Sequence, residues 1–201
     1  MKKIVFWDVD TQVDFIEPTG KLYVPGAESI LDNLAYITNL KKVNGRLCGS
    51  VDAHLPNDPE FDEWPEHCVY GTPGALKVPE SLANKTLYVP TAKLTNSQLL
   101  EVLNYPEQII FEKQDNDVRT NPNVKPFLQL INPDLVVIYG VVTEICVKLA
   151  VDFIARDLKY KTVVISDAIK ELSINDAERC FSDWESMNVV QVKTEELKNL
   201  I

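Results

Sequence analysis

Apolar and polar positions along the chain follow two alternating rhythms. IVFWDV (4–9), RLCGSVD (46–52), QIIFEK (108–113), DLVVIYG (134–140) and KTVVIS (161–166) are short, rich in Val and Ile and largely unalternating. That is the pattern of strands buried on both faces. Between them, segments 27–42, 96–104, 123–131, 144–158 and 173–185 carry helical spacing, and NVVQVK (188–193) reads as a further strand before a short last helix. Strand alternating with helix predicts crossover connections, hence a doubly wound α/β fold: a mostly parallel sheet with helices on both faces. The stretch 53–85 predicts no regular element. It carries Trp64, His67, Cys68 and GTPG (71–74), which is poor material for a disordered linker, so a functional loop is expected there.

Composition narrows the class. The length of 201 residues, with no repeat or composition break, suits one domain over 1–201. Twenty basic against thirty acidic residues, a net charge of −10, weigh against a nucleic-acid or anionic-membrane partner. The apolar run in MKKIVFWDVD is too short for a secretory leader, and no run reaches the ~18–20 residues that span a bilayer. A cytoplasmic enzyme with reduced thiols is the expectation, since Cys48, Cys68, Cys146 and Cys180 form no CxxC pair. No GxGxxG or P-loop supports a nucleotide cradle.

Sites in open α/β sheets form outside the carboxyl ends of the strands. There the chain offers Asp8 and Asp10, then Asp52 and His54, then Lys113, then Cys146 in GVVTEIC (140–146). The last segment reads as strand, tight turn and helix with Thr143 as N-cap. Cys146 would then lie in the first helical turn, where unpaired amides and the dipole favour a thiolate. It is read either as a nucleophile on an elbow with an amide-lined oxyanion hole or as an ordinary packed cysteine. His54 and His67 are either solvated loop histidines or, with Asp52, a three-ligand catalytic metal site. If both histidines serve a metal, the base for Cys146 must be a carboxylate: Asp10, with the Lys113 ammonium beside it lowering the thiol pKa.

These motifs, in this order over residues 3–170, resemble the isochorismatase-like cysteine hydrolases, and among them the nicotinamidase/pyrazinamidase group. The residues carrying the resemblance are DTQVDF (10–15), LYVPGA (22–27), DAH (52–54), WPEHCVYGTPGAL (64–76), IIFEK (109–113), GVVTEICV (140–147) and VVISDA (163–168). The resemblance implies Asp10, Lys113 and Cys146 as catalytic triad, and Asp52, His54 and His67 as ligands of one divalent metal. Zinc is the first choice, with iron or manganese as alternatives. It also implies Glu60 as a further ligand, with Asp58 and Asp62 behind it, and Phe15 and Trp64 flanking the substrate ring. A cis peptide at Val141–Val142 would aim the Val142 and Cys146 amides at an oxyanion.

The implied activity is deamidation of a small aromatic carboxamide, nicotinamide foremost, through a Cys thioester, with a place in NAD salvage and a homo-oligomeric state by analogy. The alternatives are another small-amide amidase and a non-catalytic binding protein of the same fold. Two departures stand out. QDNDVRTNP (114–122) lacks the small-residue and Phe pattern usual after the lysine, and Asp8 replaces an apolar residue. Asp8 either perturbs Asp10 or faces away from it.

Overall fold

In a computed structural model, which describes residues 2–200 and, within 41–44, the backbone alone, seven strands form one sheet. They are β1 (Ile4–Val9), β2 (Arg46–Asp52), β3 (Thr86–Val89), β4 (Gln108–Lys113), β5 (Leu135–Val141), β6 (Thr162–Lys170) and β7 (Val190–Val192). Their order is β3-β4-β2-β1-β5-β6-β7, and every neighbouring pair is parallel. The helices are α1 (Val13–Ile16), α2 (Leu31–Asn44), α3 (Asn96–Leu103), α4 (Val124–Ile131), α5 (Lys148–Val151) and α6 (Ile174–Ser186).

The two-residue period of β1 sorts its side chains onto two cores. Trp7 stacks on Phe111 at 5.9 Å and shares its layer with Leu99 of α3, Phe127 of α4, Val151 of α5 and Trp184 of α6. Phe6 packs on the other face with Leu34 and Ile37 of α2. Helices thus cover both faces, as the strand–helix alternation predicts. Each large side chain so buried contributes about 1.5–3 kcal/mol, and truncating Trp7 to alanine would cost about 3–5 kcal/mol.

The structure departs from the sequence reading in four places. Strand β3 was not predicted, because TLYV is four residues long, with Tyr88 exposed at the sheet edge. Strand β6 runs past the predicted end to Lys170 because its register against β5 breaks between Ile138 and Gly140. The helix after Cys146 is compound: π-turns at Thr143–Val147 and Asp152–Asp157 flank α5. Thr143 is not its N-cap; Val142 holds that position, and the buried Thr143 hydroxyl has no hydrogen-bond partner.

The long connection 53–85 has no strand or α-helix. Three short 3₁₀ turns occupy it, at Pro59–Asp62, Pro73–Ala75 and Pro79–Ser81. Each starts with proline, whose missing N–H costs nothing in a first turn.

The sheet order places the site. Strands β2, β3 and β4 lie to one side of β1, and β5, β6 and β7 follow outward on the other, so the order switches between β1 and β5, where α/β sheets open a crevice. The ends of β4, β2, β1 and β5, four neighbours, carry Lys113, Asp52, Asp10 and, just beyond, Cys146.

Candidate active site

β1 ends in a backbone corner. Asp10 adopts φ 49°, a left-handed conformation that costs a non-glycine residue about 1–2 kcal/mol. Its N–H donates to Ser50 O (3.1 Å), and its carbonyl accepts from Gln12 N (2.7 Å). The Asp10 carboxylate is fully buried. Ser50 donates its hydroxyl to Oδ1 at 2.8 Å, while Oδ2 lies 3.0 Å from the Lys113 ammonium, out of line for a full hydrogen bond.

Lys113 is buried, not solvated, and sits between Asp10 and Asp52; it pairs closely with Asp52 Oδ1 and donates to Cys146 Sγ at 3.7 Å. The sequence reading had the ammonium lowering the thiol pKa. In the structure burial comes first, and the charges of Asp10 and Asp52 add to it, so the Cys146 thiol is held well above its ordinary value despite Lys113. Burial likewise raises the Asp10 carboxyl, with Lys113 pulling against it.

The other half of DTQVDF builds scaffolding. The Gln12 side-chain amide donates to Asp52 O (2.8 Å) and Ala75 O (2.9 Å), and accepts from Asp52 N (2.7 Å), clamping the end of β2. Asp14 accepts from Cys68 N (2.7 Å) and Lys21 N (3.0 Å), which pins the loop carrying His67. Gly74 is required beside it, because a Cβ there would lie 2.1 Å from Asp14 Oδ2. Gly140, at φ 120°, likewise lets β5 close on β1; a Cβ would meet Val9 O at 2.0 Å.

Asp52, His54 and His67 are all buried, with donor atoms within 4.8 Å of one another. Asp52 Oδ2 lies 4.0 Å from His54 Nε2 and 3.8 Å from His67 Nε2; Glu60 Oε1 lies 3.9 Å from the first and 4.0 Å from the second. The Asp52, His54 and His67 donors are spaced to fit one ion whose bonds are ~2.0–2.2 Å, and Glu60 lies beside the two histidines.

Three further observations support the fit. Neither ring nitrogen of the buried His54 has a hydrogen-bond partner among the described residues, Nε2 included. His67 Nδ1 is 2.8 Å from Pro65 O, which fixes the tautomer that leaves Nε2 free. Burial and then the Asp52 charge push the Glu60 carboxyl up, a repulsion that a cation would relieve.

Asp58 and Asp62, placed behind Glu60 by the sequence reading, do not face this point. Asp62 is exposed. Asp58 Oδ2 lies 3.2 Å from His54 Nδ1, on the side away from the cluster, and its Oδ1 accepts from Glu60 N at 3.1 Å.

One pocket joins both halves, its walls including Phe15, Trp64, Glu60, His67, Val142 and Cys146. The Val141–Val142 peptide is cis. Three contributors escaped the sequence reading. Phe61 sets its ring 5.3 Å from His54 and 5.8 Å from His67. Ser50 bonds Asp10, and a polar residue in a buried strand was the available signal. Asn116 lines the pocket, with Oδ1 3.7 Å from Sγ.

A doubly wound α/β sheet with an Asp–Lys–Cys cluster at its switch point, beside a set of metal-type donors, has the build of a hydrolase. The Isochorismatase domain family model matches residues 90–196, and the chain belongs to the isochorismatase family. It is similar to the nicotinamidase of Saccharomyces cerevisiae, 27% identical over 194 residues covering 82% of this chain and 87% of that one. Among solved structures it resembles the pyrazinamidase of Pyrococcus horikoshii in complex with zinc (TM-score 0.74, 25% identity, 94% of this chain and 98% of that one). It also shares its fold with the pyrazinamidase/nicotinamidase of Streptococcus mutans (TM-score 0.76, 21% identity, 94% and 99%). The chain is a nicotinamidase-like amidohydrolase of this family.

Proposed function

We propose that the chain is a single catalytic domain that hydrolyses a small aromatic carboxamide, nicotinamide foremost, to the carboxylic acid and ammonia. One observation carries the reading: the buried thiol lies between the Lys113 ammonium and the Asp10 carboxylate, in a pocket shared with metal-type donors and two aromatic walls.

Asp10 Oδ2 takes the Cys146 proton as Sγ attacks the carboxamide carbon, so no standing thiolate is required. The Val142 and Cys146 amides receive the oxyanion. On collapse the C–N bond breaks, its electron pair stays on nitrogen, and Asp10 returns the proton to the departing ammonia. Asp10 then takes a proton from the water that cleaves the thioester, and Cys146 recovers its own. Lys113 holds Asp10 and Asp52 in register with Sγ throughout. Phe15 and Trp64 flank the ring and exclude water.

Asp52, His54, His67 and Glu60 would hold a divalent metal, for which this donor set suits zinc, with iron and manganese as alternatives. When bound, the ion supplies a Lewis-acid contact that orients the substrate ring. On this reading the chain serves NAD salvage in the cytoplasm, a role that its likeness to a nicotinamidase supports.

Ammonia release from nicotinamide tests the proposal on wild-type, Cys146→Ala and chelator-treated protein. Wild type should turn over, and loss of the thiol should cost about 10⁴-fold or more. Chelation should raise KM by loosening the ring. No turnover by metal-loaded wild type would refute the substrate class.

A further inference from the structure

We propose that Asn116 is a specificity residue for the scissile group: its side-chain oxygen receives an N–H of the substrate carboxamide, so the site favours amides that carry N–H over esters of the same acid. The inference rests on the amidase reading and says which part of the substrate the pocket recognises beyond its ring.

Asn116 belongs to QDNDVRTNP, the segment where the chain departs from the family pattern. It lines the pocket that holds Cys146, and its Oδ1 lies 3.7 Å from Sγ. The loop is braced rather than draped. Gln114 Nε2 donates to Ala53 O (3.4 Å), beside the metal-type donors. Asp115 Oδ1 accepts from Asp117 N (3.0 Å), and Asp117 Oδ1 accepts from Arg119 N (2.9 Å). The Arg119 guanidinium pairs with Asp117 and reaches Asp157 Oδ2 at 3.0 Å, at the far end of the helical segment that carries Cys146. Nucleophile and Asn116 are therefore carried on segments tied to each other.

Three polar groups surround Sγ, and their chemistry divides the work. Lys113 is a donor only. Asp10 must take the thiol proton. Asn116 is the neutral one and offers a carbonyl oxygen, whose hydrogen-bond partner among the described residues is the thiol.

Once the thiol gives its proton to Asp10, that oxygen has lost its donor. A carboxamide carbon against Sγ brings its own NH₂ within reach, and one N–H replaces the S–H. As the C–N bond breaks and its pair goes to nitrogen, the N–H held by Asn116 keeps the nitrogen lone pair turned toward the Asp10 proton. An ester has no N–H to offer. A site built around a hydrogen bond discriminates strongly against an analogue that lacks it, because the buried partner is left unpaired.

The test compares kcat/KM for nicotinamide and methyl nicotinate, which share ring and acid product, on metal-loaded wild type, Asn116→Ala and the volume-keeping Asn116→Leu. The expected result is a loss of about 10–100-fold on the amide in both variants, with ester turnover retained, so that the amide-to-ester ratio falls. Equal losses on both substrates would overturn the inference and assign the side chain to the thiolate or the pocket wall; unchanged amide turnover would overturn it as well. Absence of nicotinamide turnover in wild type is a different failure, since it removes the amidase reading and this inference with it.

Discussion

Asp8 and Asp10 leave the same strand end, both fully buried, each with Oδ2 3.0 Å from a lysine ammonium, Lys77 in one case and Lys113 in the other. Burial pushes both carboxyls up, and both lysines pull back. The pairs differ in what remains unfilled. Thr11 donates its hydroxyl to Asp8 Oδ1 at 2.9 Å, Lys77 donates to Thr11 Oγ1 at 2.7 Å, and Ser81 Oγ lies 2.8 Å from the same hydroxyl. That square is closed. The Asp10 carboxylate accepts from Ser50 at Oδ1, and its Oδ2, without an aligned donor among the described residues, leaves it open to the Cys146 thiol with which it interacts. An ion pair of one length is thus a staple in one place and, in the proposed mechanism, a proton acceptor in the other. The vacant lone pair and the neighbouring nucleophile make the difference, not the pairing itself.

Breaking the two pairs should therefore have different consequences. The largest effect is expected on the open pair: Asp10→Asn should lower kcat for nicotinamide by about 10²–10⁴-fold in an ammonia-release assay, while Asp8→Asn keeps turnover per folded molecule. The closed pair should answer in stability. Lys77→Ala leaves the Asp8 charge alone in the core and should cost about 3–5 kcal/mol in denaturant unfolding. The double replacement Asp8→Leu/Lys77→Met should recover most of that loss, because two desolvation penalties disappear together.

Next in size is the support of the metal-type donors. Asp58 touches both His54 and the Glu60 backbone, so Asp58→Ala should weaken zinc binding about 10–100-fold in competition with a chromophoric chelator. The smallest effect is a shift in pH. Asp10 must be ionised to accept the thiol proton, and its carboxyl is raised from 3.8 by burial. The acid limb of kcat/KM should therefore lie above the ordinary aspartate range, with activity rising as pH rises through it.

Much of this was legible in the chain because the carriers are residue types with few alternative uses in buried positions. The Val/Ile runs marked β1, β2, β4 and β5, and Asp10, Asp52, Lys113 and Cys146 fall at or just past their ends. What stayed hidden depends on contacts between distant segments. The partner of Asp8 is Lys77, from the return loop: Asp8 is buried, yet the charges acting on Asp10 come from Lys113 and Asp52. The role of Ser50 follows from the pairing of Val9 with Ser50, and that of Asn116 from the bracing of its loop. Lys113 does pull the Cys146 thiol down, but spacing names the nearby ammonium and not the depth of burial that outweighs it.

The central claim is that Cys146 becomes acylated after passing its proton to Asp10, and hydroxylamine partitioning tests it directly. With hydroxylamine present during turnover of nicotinamide, a thioester predicts nicotinohydroxamate formed at the expense of nicotinate, rising with hydroxylamine concentration, and neither product from Cys146→Ala. Full turnover to nicotinate with no hydroxamate, or turnover surviving removal of the thiol, would contradict the account.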